Sequence, residues 1–153
     1  MNSEDLQQRL AEFLKNDPAC QQTLGSLNES AEIALVIGGS LKLCAHFPPE
    51  GLQLVEKECQ SPDFLFRASP QAVETMIAEK HLTPAELGIK LAKQYFTEQI
   101  QLEMPGHFIH VLRKGYLQIV KTGGLEFLQG LSQYNLESLG KILVFLQSLR
   151  SKN

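Results

Sequence analysis

The sequence predicts an α+β protein in which a five-stranded, mainly antiparallel sheet carries helices on one face. Short apolar runs separated by turn residues fill residues 32–68, which is typical of strands. From residue 70 onward the apolar residues follow helical spacing, interrupted once by an alternating run at Gln99–Met104. A sheet with one dry face needs a layer of helices to cover it, so the two halves of the pattern fit together.

The N-terminal segment predicts two helices. Apolar residues recur at helical spacing over Glu4–Asn16, and Asp17-Pro18 then ends the helix because a residue before proline avoids helical geometry. A shorter helix is expected over Ala19–Leu24, and the polar residues that follow it indicate a loop.

The clearest strand signal is a hairpin. Two apolar runs, Glu32–Ile37 and Ser40–Phe47, flank Gly38-Gly39, and glycine adopts the positive φ of a tight turn without strain. The second run alternates strictly, which predicts one dry and one wet face. The dry face would carry Leu41, Leu43, Ala45 and Phe47, and the wet face Lys42, Cys44 and His46.

Two further strands complete a predicted antiparallel meander. Turns at Pro48–Gly51 and Ser61–Asp63 bound a third strand over Leu52–Cys59, whose charged second half suggests a sheet edge. The fourth strand is Phe64–Ala68. Tight turns between successive strands favour pairing of each strand with the next strand in the sequence.

Helices and a fifth strand follow. Ser69-Pro70 and Thr83-Pro84 are both start signals, since the hydroxyl caps a helix that opens on proline. His107–Thr122 fits either a helix or a hairpin, and the helix is favoured. Gly123-Gly124 is a stop signal, a further turn of helix covers Leu125–Leu131, and a last helix is expected over Leu136–Arg150.

The composition describes one globular domain over residues 1–153. The chain is 43% hydrophobic and 20% charged, and neither a run of 18 apolar residues nor a basic, apolar leader occurs. We therefore expect a cytoplasmic protein. The net charge of -3 argues against nucleic acid. Residues 105–153 nonetheless hold 6 basic and 2 acidic residues, a pattern compatible with transient contact with acidic lipid head groups or with plain surface charge.

The residues capable of chemistry form no recognisable motif. Three widely spaced cysteines (Cys20, Cys44 and Cys59) predict reduced thiols, with no disulfide framework and no structural zinc site. His107 and His110 share a helical face but lack further ligands. An enzyme using His46, Glu56 or His81 stays a weak alternative because no nucleophile or phosphate-binding motif accompanies them. We expect no enzymatic activity, no cofactor and no metal.

One stretch, SPDFLFRASPQAVETMIAEKHLTPAELGIKL, resembles the sterol-carrier-protein type of lipid-binding domain. That family has a strand, then Ser-Pro opening an amphipathic helix, then a second helix near a proline. Phe66–Gln71 looks like a variant of its "T-x-x-G-S-P-E" motif, and IQLEMPG resembles its "L-K-I-E-G-D" strand, although Pro105-Gly106 departs from the usual Gly-Asp. The resemblance covers about residues 30–131, between the N-terminal helix (4–16) and the C-terminal helix (136–150).

The resemblance implies a five-stranded sheet with helices on one face and an apolar tunnel between them. Members of that family bind and shuttle acyl chains, sterols or other lipids without chemistry, and some bacterial members assist quinone-lipid synthesis. It therefore implies non-enzymatic binding and transfer of an apolar ligand (lipid, fatty acyl, sterol-like or quinone-like). By helical position, we expect the lining to include Met76, Leu91, Phe108, Val111 and Leu112, with Leu139, Leu143 and Leu146 closing the pocket as a lid.

Two plainer interpretations remain open. The wide apolar faces from residue 84 onward suit ordinary core packing equally well. The stripe of the last helix also suits a protein-interaction module that forms a homodimer or binds a partner.

Overall fold

The computed structural model describes residues 3–79 and 82–150 and contains one five-stranded sheet. The strands are β1 (Glu32–Ile37), β2 (Leu41–His46), β3 (Gln53–Val55), β4 (Phe64–Ala68) and β5 (Ile100–Glu103). Their spatial order is β3-β2-β1-β4-β5, and the sheet is antiparallel except between β1 and β4. The predicted fold class, α+β with a mainly antiparallel five-stranded sheet, is confirmed.

The predicted hairpin is confirmed, and its turn has the expected geometry. Ile37 pairs with Leu41 across a three-residue turn in which Gly38 and Gly39 have φ of 64° and 80°. Leu41, Leu43, Ala45 and Phe47 are buried on the inner face of β2, whereas Lys42 is exposed. The alternation of the sequence therefore identified the inner face correctly.

The predicted meander is wrong at β4. After β3 the chain returns to the far side of β1, and β4 runs parallel to β1 with Ile33 opposite Phe64. Asp63 starts this pairing, because its N–H donates to the carbonyl oxygen of Glu32 (2.8 Å) and its Oδ2 accepts from the Glu32 N–H (2.9 Å). A long-range contact therefore overrode the preference for pairing in sequence order.

The cysteine prediction is also wrong, because Cys44 and Cys59 form a disulfide. The third strand ends at Val55 rather than at Cys59, and the chain then folds back beside β2. This brings the Cα atoms of the two cysteines to 5.2 Å despite a sequence separation of 15. The bond also explains why Cys44 is fully buried on the otherwise wetter face of β2. Cys20 is a free, buried thiol.

The described residues form seven α-helices, and the two with predicted start signals, at Ser69-Pro70 and Thr83-Pro84, begin where those signals predict. The seven helices are α1 (Ser3–Asn16), α2 (Pro18–Leu24), α3 (Pro70–Ala78), α4 (Pro84–Phe96), α5 (Phe108–Val111), α6 (Leu117–Leu131) and α7 (Leu139–Ser148). Asp17 accepts a hydrogen bond from the N–H of Cys20, and Ser69 accepts one from that of Ala72. Thr83 forms a capping box with Glu86.

The helix favoured over residues 107–122 is confirmed: helical structure runs from Phe108 to Leu131 and is interrupted twice. A π-type turn over 112–116 joins α5 to α6, and Gly115 within it has φ of 104°. The backbone passes so close to Ser26 that a Cβ at Gly115 would lie 2.1 Å from the Ser26 carbonyl oxygen. The break predicted at Gly123-Gly124 is confirmed: Gly124 (φ 65°, ψ -156°) is non-helical, and a second helical stretch then continues to Leu131.

The core lies between the inner face of the sheet and the helices. Its central cluster joins Ala45, Phe47 and Phe64 of the sheet region to Val111 and Tyr116 of the helical layer. The last helix is shorter than predicted, but Leu136 and Leu149 beyond its ends are buried. Met104 after β5 forms a parallel bridge with Arg150, which ties the end of the described chain to the sheet.

Candidate functional site: an apolar cavity between sheet and helices

A cavity of about 360 Å³ lies between the inner face of the sheet and the helices. Its volume falls within the range of about 300–1,000 Å³ common for small-molecule pockets. Every helix except α5 and every strand except β3 contributes to the wall. The strand side consists of Ile33, Leu35, Val36, Ile37, Ala45, Phe47, Phe64, Phe66, Ala68, Ile100 and Leu102. The helical side includes Leu10, Phe13, Leu14, Leu24, Val73, Met76, Leu87, Leu91, Ile119, Phe127 and Leu146.

No residue on this wall carries a formal charge. Its few polar groups are mostly occupied: the hydroxyl of Thr23 donates to the carbonyl oxygen of Ala19 (2.9 Å), and the Tyr116 hydroxyl donates to Asp63 (2.8 Å). An apolar space of this kind favours apolar contents, because an ion placed there would lose its hydration without gaining a partner.

The two titratable groups on the wall are kept neutral. Burial raises the pKa of the Cys20 thiol to about 12, and the nearby Asp17 carboxylate adds to this effect. Burial also raises the pKa of the Tyr116 phenol, again with help from a carboxylate, that of Asp63. At neutral pH both groups are therefore protonated, and the Cys20 sulfur is not a thiolate nucleophile.

A buried ionic cluster holds Tyr116 in the wall. Asp63 is 2% exposed, and its Oδ1 accepts from the Lys114 ammonium group at 2.7 Å. Its Oδ2 accepts from both the Tyr116 hydroxyl and the Glu32 N–H. The π-type turn thereby becomes attached to the start of β4 and the start of β1, so this cluster fixes one part of the helical layer over the sheet.

Three of the residues expected to line a pocket lie on the cavity wall. Met76 projects from α3, Leu91 from α4 and Leu146 from α7. The structure thus brings together side chains from three separate helices. Contact of these residues with a ligand stays a prediction.

The other five expected lining residues lie away from the wall. Val111 is fully buried in the central core cluster, and Phe108 packs against that cluster. Leu112, Leu139 and Leu143 are half-buried. Of the three expected lid residues on the last helix, only Leu146 reaches the cavity.

Sequence reasoning missed the strand side of the cavity and one aromatic residue of α6. The inner-face positions of β1 and β4, such as Leu35 and Phe66, carry the period-two signal that marked β2, so the pattern was available. Phe127 lies in the helical stretch after the glycine pair, and no local feature of the sequence indicates that it borders a cavity. Gln94, a buried polar residue on α4, has no sequence signal distinguishing it from a surface glutamine.

The residues considered for chemistry do not converge. His107 and His110 are exposed neighbours with ring centroids 5.1 Å apart. His46 lies 3.6 Å from a Glu32 carboxylate oxygen, Glu56 is exposed beyond β3, and His81 lies outside the described residues. Within residues 3–79 and 82–150, the metal-ligand grouping that occurs joins Glu32 to Cys44 and Cys59, whose sulfurs are bonded to each other.

Comparison with known proteins gives likeness in structure but none in sequence. No protein-family model matches the chain, and no curated protein matches it in sequence. Among solved structures, a UbiJ-SCP2 ubiquinone synthesis protein matches with a TM-score of 0.47 and 13% identity, covering 78% of this chain and 93% of that chain. Likeness at that level establishes neither a family nor a function for this chain. Among the described helices, none is long and apolar enough to cross a membrane.

Proposed function

We propose that this protein is a non-enzymatic carrier that binds an apolar ligand, such as a lipid, a fatty acyl chain, a sterol-like or a quinone-like molecule. The cavity of about 360 Å³ carries the proposal, because its wall is formed by aliphatic and aromatic side chains and lacks charge. A fully packed core leaves few voids larger than a water molecule. A space of this volume inside an apolar layer is instead suited to a guest.

The energetics favour a chain-like guest. Each buried methylene contributes about 0.8 kcal/mol, or about a fourfold change in Kd. Affinity for a homologous series should therefore rise by about fourfold per carbon and level off when the cavity is full. Catalysis is not part of the proposal, since the cavity wall offers a protonated thiol and phenol but no carboxylate, imidazole or amine.

Calorimetric titration with methyl alkyl ethers of increasing chain length tests this proposal. These probes are apolar and donate no hydrogen bond. Leu91→Trp, which places extra volume in the cavity wall, should shorten the chain length at which affinity levels off. Leu125→Trp is the matched control, because Leu125 is 70% exposed on α6 and lies outside the wall. An affinity that does not depend on chain length and does not change in Leu91→Trp would contradict the proposal.

Transfer to and from a lipid surface is the second part of this proposal. Residues 105–153 are basic, and the apolar side chains of Ile109 and Leu125 are 47% and 70% exposed on the helical layer. A basic segment that also exposes apolar side chains favours contact with acidic head groups. The protein should sediment with vesicles containing phosphatidylserine more than with phosphatidylcholine vesicles, and equal sedimentation would contradict this part.

A second candidate function is protein interaction through α7. The observation that favours this function is the exposure of Val144, an apolar residue that is 66% exposed on that helix. If α7 forms a homodimer, Val144→Glu should convert the dimer to a monomer in analytical ultracentrifugation. A wild-type protein that already sediments as a monomer at high concentration would remove the homodimer.

A further inference from the structure

One polar side chain on the cavity wall lacks a complete set of partners. Gln94 on α4 is 4% exposed, lines the cavity, and has an amide oxygen with no hydrogen-bond partner among the described residues. The Thr23 and Tyr116 hydroxyls on the same wall each donate to a protein oxygen. The Gln94 oxygen is therefore a buried, unsatisfied acceptor on a residue that borders an otherwise apolar space.

The amide of Gln94 has a defined orientation. Its Nε2 donates to the carbonyl oxygen of Ala72 on α3 at 3.2 Å. The opposite orientation would set two acceptor oxygens against each other, so Nε2 must face Ala72 and Oε1 must face away. Oε1 has almost no accessible surface, so bulk water does not satisfy it.

A buried acceptor without a donor is unfavourable, and aliphatic residues occupy most of the surrounding wall. A leucine or methionine at position 94 would avoid the unsatisfied group. The glutamine becomes favourable when a ligand supplies the missing donor. Oε1 is closed off in the structure, so contact with a guest requires the side chain to move, and a single 3.2 Å hydrogen bond to Ala72 holds the amide against that movement.

We propose, resting on the carrier function above, that the ligand carries a neutral hydroxyl group that donates a hydrogen bond to Oε1 of Gln94. An ionised carboxylate has no donor, and an ammonium group would find no charged partner on this wall. The ligand class is thus an apolar alcohol or phenol rather than an ionised fatty acid or a fully esterified lipid. The hydroxyl of a fatty alcohol, a sterol or a reduced quinone has this chemistry.

The test compares n-decanol with nonyl methyl ether, which are isomers and differ in the ability to donate. Calorimetric titration gives the ratio of the two Kd values for the wild type and for Gln94→Met, which keeps a side chain of similar length. The preference for the alcohol should fall by about tenfold in Gln94→Met. Gln101→Met, the same substitution at an exposed position of the edge strand β5, should keep the wild-type preference.

A measurement on the unmodified protein covers the case in which Gln94→Met does not fold. The NMR resonance of the Gln94 side-chain carbonyl carbon should move when n-decanol is added and stay in place with the ether at equal occupancy. Equal preference in all three proteins, or an unmoved carbonyl resonance, overturns the hydroxyl assignment while the carrier function stands. Failure of both probes to bind the wild type overturns the carrier function and the assignment with it.

Discussion

Asp63 is the residue whose replacement tests the structure most directly. Both of its carboxylate oxygens face donors: Oδ1 accepts from Lys114, and Oδ2 accepts from Tyr116 and from the N–H of Glu32. Asp63→Asn keeps the shape of the side chain but removes its charge and replaces one oxygen by an amide NH2 group, which donates hydrogen bonds. In either orientation of the new amide, a donor then faces a donor, so no rotation repairs the cluster.

The magnitude follows from burial. The Asp63 side chain is 3% exposed and that of Lys114 is 19% exposed, so the substitution leaves a largely buried ammonium group without its counter-ion. Removing one partner of a buried pair costs about 3–5 kcal/mol, and the residual exposure of Lys114 favours the lower end. We expect a loss of about 3 kcal/mol in the free energy of unfolding, which for a chain of this size lowers Tm by on the order of 10 °C.

Urea unfolding followed by circular dichroism measures this loss. The matched control is Glu103→Gln, because the Arg67–Glu103 pair (3.1 Å) joins side chains that are 47% and 46% exposed. Such surface pairs contribute about 0–1 kcal/mol. Lys114→Met in the Asp63→Asn background should recover part of the loss, since no buried charge then remains unpaired. A loss for Asp63→Asn no larger than that for Glu103→Gln would refute the reasoning.

Three further predictions concern stability. Replacing Cys44 and Cys59 together by alanine should lower the free energy of unfolding by about 3 kcal/mol, because the disulfide closes a loop of 15 residues in the unfolded chain. An unchanged urea midpoint would contradict this prediction. Gly115→Ala should lower the free energy of unfolding by more than about 2 kcal/mol, because the added Cβ clashes with backbone at a position of positive φ. Gly140→Ala, on a helix with open space around it, should raise the free energy of unfolding by about 0.5–1 kcal/mol. Similar Tm values for the two variants would contradict the π-type turn. Stability should fall between about pH 9 and 12, because the unfolded Cys20 thiol loses its proton near 9.0 while the folded thiol keeps it to about 12. Cys20→Ala should flatten that part of the stability profile, and parallel profiles for the two proteins would refute the shift.

Local features of the fold were readable from the sequence. The Gly38-Gly39 hairpin, the dry face of β2 and the helix starts after Ser69 and Thr83 all depend on residues close together in the chain. The break at Gly124 is also a local effect, because glycine adopts the φ of 65° found there without strain. Packing of the following segment, including Phe127, lets the helix resume after the kink.

Only part of the candidate site could be predicted from the sequence. Helical spacing brought Met76 and Leu91 onto the wall, but the same spacing also selected Val111, which packs into the solid core. An apolar face looks identical in sequence whether it meets a partner side chain or an empty space. The difference depends on how far the helical layer stands from the sheet, and the cluster around Asp63 helps to set that position.

The sequence by itself determined the class of fold, the strand and helix segments, and the supply of apolar faces, because hydrophobic period, capping and turn chemistry act over a few residues. Tertiary structure alone decided that β4 pairs with β1, that Cys44 meets Cys59, and that Gln94 is buried beside an apolar cavity. Each of these depends on groups far apart in the chain. Their meeting is a property of the whole packed layer, and no short stretch of sequence encodes it.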